Sequence, residues 1–95
     1  MILVVATVRV HPGREGEYEA AVAAIMPRVR KANPGIVFYH AGRDREAAGT
    51  YRVVEAYTDQ AAMDAHIGSD DLQEALAGLG PCIAGLDIHI HDAVA

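Results

Sequence analysis

Residues 2–10, ILVVATVRV, are apolar on two sides at once, and this limits what the chain can become. β-branched residues in an unbroken run favour a strand. Side chains alternate along it, so Ile2, Val4, Ala6, Val8 and Val10 point one way and Leu3, Val5 and Thr7 the other. A sheet face left to water alternates apolar and polar more cleanly than this. Both faces therefore need cover, and 95 residues must provide it from few elements.

The rest of the chain supplies helices for one face only. HPG at 11–13 is a turn with its own breakers. An amphipathic helix follows from Arg14 to about Lys31, with Tyr18, Ala21, Val22, Ile25 and Val29 recurring at steps of three and four and Glu15, Glu17 and Glu19 near its start. Pro27 removes a backbone donor, and a kink is expected near Met26. Asn33-Pro34-Gly35 stops the helix, a second strand runs from about Ile36 to Ala41, and a charged loop leads to a third from Thr50 to Tyr57. Thr58 or Asp59 caps the next helix, which falters at Gly68. A further helical piece spans about Asp70 to Leu79, and LDIHIHD at 86–92 is a fourth strand. The order β-α-β-β-α-β is the split βαβ arrangement of an α+β, ferredoxin-like domain with an antiparallel sheet. A single domain over 1–95 is expected. With helices on one face, a second copy of the chain is the available cover for the other, which predicts a homodimer packed sheet to sheet.

Composition excludes several classes. The chain carries a net charge of −5, with all eight Lys and Arg in residues 1–52 and eight acids but no Lys or Arg in residues 53–95. No basic stripe with interleaved aromatics exists, so nucleic acid is not an expected partner. The apolar start is too short to span a bilayer and has neither a basic leader nor a cleavage site, so no membrane role is expected. A lone cysteine, Cys82, reads as a small buried hydrophobe in a reducing cytoplasm.

Few residues could carry chemistry. His66 lies beside the inward stripe of its helix, one turn beyond Ala62 and Met63; periodicity alone favours a boundary histidine satisfied by a backbone carbonyl. Tyr57 ends the third strand nine residues earlier, where strand end and helix end can face one hollow between sheet and helices. Its alternative is an edge-of-core aromatic with a wet tip. Asp70, four residues after His66, is spaced to hold the other ring nitrogen, although Gly68-Ser69 can break the helix between them. The acids of this half would favour a protonated His66 unless burial offsets them. His89 and His91 share a face of the last strand with Asp87, but a tetrahedral metal site needs a third protein ligand, and none can be placed. They read as the polar face of an outer strand, and no metal is expected.

Three stretches carry a resemblance: VRVHPGREGEY at 8–18, NPGIVFY at 33–39 and EAYTDQAAMDAHIGS at 55–69. They resemble the antibiotic biosynthesis monooxygenase family, whose members are dimeric α+β barrels. The resemblance implies a cytoplasmic, homodimeric enzyme that oxidises a quinol or polyphenol-like aromatic with O2 and no bound cofactor. By matching positions, His66 is the candidate base or orienting partner and Tyr57 the aromatic at the pocket mouth, where many members have Trp. Ala6, Phe38, Met63 and Leu76 are candidate substrate contacts. The haem-degrading branch has Asn at the position of Ala6 and its iron-ligating His near Leu76, so haem degradation is not expected. The run Glu55, Tyr57, Asp59, Ala62, His66 is shared with the isomerase of the phosphorylated autoinducer-2 sugar, an alternative that needs cationic contacts. A non-catalytic barrel holding a small apolar ligand is a third.

Overall fold

A computed structural model describes residues 1–95, and its elements follow one another as β1 (Ile2–Val10), α1 (Glu15–Ala32), β2 (Ile36–Arg43), β3 (Thr50–Tyr57), α2 (Gln60–Ile67), α3 (Asp70–Leu79) and β4 (Ile83–Asp92). One 3-10 turn, Gly80–Cys82, joins α3 to β4. The four strands form one antiparallel sheet in the order β2-β3-β1-β4, and the fold is ferredoxin-like α+β. No helix is long and apolar enough to cross a membrane.

Strand β1, apolar on both sides, pairs with β3 on one side and β4 on the other, so neither of its edges is open. Ile2, Val4, Ala6, Val8 and Val10 are buried beneath the helices, while Leu3, Val5 and Thr7 on the other face are half-buried. Helix α1 lays Tyr18, Met26 and Val29 onto the sheet, and it continues through Pro27 to Ala32. The Pro costs the helix one backbone hydrogen bond, and the buried residues on either side of it hold the span together. Strand β4 begins three residues before the expected 86, because Ile83 already pairs with Val10 across a bulge. Strand β2 runs on to Arg43, which pairs with Tyr51.

The apolar interior falls into two clusters. The larger joins Ala6, Val8, Val10, Tyr18, Met26, Val29, Tyr39, Tyr51, Val53, Leu79 and Cys82; the smaller joins Ile2, Val4, Tyr57 and Met63. Along β3 the inward residues are Tyr51, Val53, Glu55 and Tyr57, opposite Val8, Ala6, Val4 and Ile2. Val53 belongs to the larger cluster and Tyr57 to the smaller. A carboxylate, Glu55, stands between them.

Candidate functional site

Helix α2 is placed by the turn that precedes β2. Asn33 donates from Nδ2 to the carbonyl of Ala62 at 2.9 Å and accepts from the Gly35 amide at 3.0 Å. The Gly35 carbonyl accepts from the Thr58 amide at 2.9 Å. Gly35 is needed here for space: a Cβ on it would lie 2.4 Å from the Cβ of Ala62. Asp59 caps α2 by accepting from the Ala62 amide at 2.9 Å. At the far end, the Ser69 hydroxyl donates to the carbonyl of His66 at 2.7 Å and accepts from the Leu72 amide at 3.2 Å, starting α3. His66 is thus held at a junction fixed from both sides.

Its ring points inward and is only 5 % exposed. Nε2 lies 3.8 Å from Oε1 of Glu55, which is 9 % exposed. The Tyr57 hydroxyl donates to that same carboxylate oxygen. Two aromatic rings flank the imidazole, Tyr39 at 5.1 Å between centroids in an edge-on arrangement and Tyr57 at 5.8 Å. No side-chain nitrogen or oxygen is both sealed from solvent and without a partner. His66 and the Tyr39 hydroxyl make no side-chain hydrogen bond within the chain, so their polar atoms open onto space.

That space is a cavity of about 190 Å³ between the sheet and helices α1, α2 and α3. Its lining is aliphatic and aromatic except for Glu55, His66 and the phenol hydroxyls; Glu55, His66, Tyr39 and Tyr57 gather at one end, and Tyr18 lies further along, against Tyr51. Ala6 forms part of its floor, Met63 and Leu76 part of its walls, and Tyr57 and His66 its polar end. Phe38 does not reach it. An extra residue, Val37, bulges β2 between Ile36 and Phe38. The bulge turns Phe38 to the outer face, 45 % exposed beside His40, and sends Tyr39 inward in its place. Asp70 does not meet His66; it lies in the first turn of α3, behind the Ser69 cap, and the carboxylate facing the imidazole is Glu55. Asp87, His89 and His91 are exposed on the outer face, where Asp87 pairs with Arg9 at 2.6 Å.

Burial dominates the site's proton affinities. It raises the Glu55 carboxyl above its ordinary range, an effect the Tyr57 hydrogen bond opposes, and it lowers His66. Both phenols are pushed up, Tyr39 by burial and the nearby Glu55 charge, Tyr57 by burial and its bond to Glu55. At neutral pH the tyrosines are donors and the imidazole is an uncharged acceptor. A proton arriving on His66 would find a carboxylate 3.8 Å away.

Glu55 entered the sequence reading only through the run shared with the sugar isomerase, not as a site candidate, and Tyr39 was not a candidate either. Glu55 did leave a signal: in TYRVVEAY it shares the alternation of Tyr51, Val53 and Tyr57, a charge in core register. Tyr39 left none, since the bulge that aims it is a property of pairing.

Fold and cavity together define a small α+β protein with a largely apolar cavity, sized for a small molecule, that carries a cluster of titratable groups at one end. The family model for antibiotic biosynthesis monooxygenases matches residues 1–78, and the chain belongs to that family. A solved structure from Caulobacter crescentus, provisionally named an antibiotic biosynthesis monooxygenase, is 35 % identical; the match covers 99 % of this chain and 90 % of that one, with a TM-score of 0.94. One from Bordetella bronchiseptica with the same provisional name is 29 % identical over 99 % and 97 %, TM-score 0.84. One from Deinococcus radiodurans, 18 % identical over 100 % and 94 % at a TM-score of 0.92, is alike in fold alone. No curated protein matches significantly.

Proposed function

We propose that this chain is a homodimeric monooxygenase that inserts one atom of O2 into a quinol or polyphenol-like aromatic without a bound cofactor. The observation that carries this is the cluster of Glu55, Tyr57, Tyr39 and His66 at one end of an otherwise apolar cavity. O2 reacts readily with an aromatic only once a hydroxyl has lost its proton. His66, kept neutral by burial, takes that proton, and the imidazolium so formed is stabilised by Glu55. Tyr57 holds the carboxylate, and the open Tyr39 hydroxyl orients a substrate oxygen. The quinolate passes an electron to O2; recombination forms a carbon–oxygen bond, and loss of water leaves a hydroxyquinone, with substrate supplying every electron. The apolar walls keep bulk water from the anion.

A phosphorylated sugar is poorly matched, because no Arg or Lys lines the cavity to meet its phosphate. Oxygen uptake with a panel of quinols tests the reading. His66→Ala is expected to slow uptake by roughly 10²–10⁴-fold, the range for a positioned base. Equal rates in the two proteins would remove His66 from the mechanism, and tight binding with no uptake would leave a ligand-holding barrel.

A further inference from the structure

The helices stop short of β4. Opposite Val8, Ala6 and Val4 on the helix side of the sheet stand Leu86, Ile88 and Ile90, and no helix covers them: Ile88 is 57 % exposed and its two neighbours are nearly as open. Scattered apolar residues on a surface need no explanation. These three, however, line the same cavity as His66, and so do the exposed Ile67 and Leu76 across from them. The result is an apolar trough continuous with the polar end.

We infer that the ligand is an amphiphile: a hydroxylated ring seated against Glu55, His66, Tyr39 and Tyr57, carrying an aliphatic chain that lies along Ile90, Ile88 and Leu86. The inference rests on reading the cavity as the substrate site. Three observations choose this occupant. Glu55, Val4 and Ile90 are in register across β3, β1 and β4, which sets the backbone at the start of the row roughly 10 Å from that of Glu55, room for about one ring between the side chains. Tyr39 and Tyr57 sit at the polar end, whereas along β4 the trough is walled by the branched aliphatics Leu86, Ile88 and Ile90, with Ile67 and Leu76 across from them, which suit a chain better than stacked rings. No charged side chain lines the trough, so nothing there would recognise a second polar group. A second copy seated here would plug the route to His66, and the opposite sheet face offers that copy an apolar surface of its own. The row spans four residue steps, roughly 14 Å, which bounds the chain.

The experiment is anaerobic calorimetric titration of the whole protein with 4-alkylphenols bearing ethyl, butyl, hexyl and octyl chains, for wild type and Ile88→Asn. Ile88 is exposed, so the variant is expected to fold, and its melting temperature checks this. Affinity should rise by about two- to fourfold per methylene in wild type, the value for burying a CH2 fully or in part. The rise should be markedly shallower in Ile88→Asn. Affinity independent of chain length, an unchanged slope in the variant, or no binding at any length overturns the inference. So does a change of oligomeric state in Ile88→Asn, which would make the trough an interface between copies. Binding without O2 separates this from the oxygenase reading: a flat series with active oxygen uptake removes the chain alone, and a steep series without uptake removes the oxygenase alone.

Discussion

Glu55 is the carboxylate that faces His66. A carboxylate in the core register of β3 is held in a poorly solvated place, and burial raises its proton affinity. Folding therefore takes up a proton at Glu55 between its unfolded and folded values, so the stability it contributes is present below the unfolded value and lost as pH rises through the folded one. Glu55→Gln removes that loss. The variant is expected to melt above wild type near pH 8 and with little difference near pH 4, by calorimetry, while oxygen uptake falls; the same offset at both pH values would show that Glu55 is not strained by burial. His66 runs the other way. Its folded pKa is depressed, so its contribution is present above the unfolded value of about 6.5 and is lost as pH falls through the folded value. Oxygen uptake should accordingly stay level above about pH 6.5 and decline only on further acidification. A decline beginning above that value would mean that the Glu55 charge outweighs burial at His66.

Among the elements, α2 carries His66, and its seat is the Asn33-Pro34-Gly35 turn. Gly35→Ala would drive a methyl into the Cβ of Ala62, where the contact would be 2.4 Å, so α2 must move off the sheet. Overpacking of this kind costs about 1–3 kcal/mol, readable as a lower urea midpoint with unchanged slope. Oxygen uptake should fall with it, because His66 moves with the helix; an unchanged midpoint would mean that the turn does not seat α2. The element order and most boundaries were legible in local pattern: β3 and α3 run as read, and Asp59 is the cap. The turn of β2 was not. Alternation from Ile36 aims Phe38 inward, and a single unpaired residue at Val37 reverses that, bringing Tyr39 to the cavity.

At the scale of the molecule, the sheet's second face stays open in one chain. Leu3 and Val5 at its centre are half-buried, and Val54 and Phe38 beside them are exposed. A second copy packed on this face would account for the apolar second side of β1, and it would leave the cavity on the helix side free. Val54→Asp would place a charge on each side of such an interface. Sedimentation is expected to find wild type dimeric at micromolar concentration and the variant shifted to monomer; a monomeric wild type would remove the dimer and leave the cavity intact.

Periodicity, turn residues and caps, all local in the chain, determined the order of elements, the antiparallel sheet and the burial of β1 on its helix side, because each depends on the preferences of neighbouring residues. The family could also be read from contiguous motifs. Only the tertiary structure decided that Glu55, not Asp70, faces His66, that Tyr39 stands where Phe38 was expected, and that β4 is left uncovered as a trough. Those outcomes depend on strand register, one bulge and where the helices end over the sheet, which are set by pairing between residues distant in sequence.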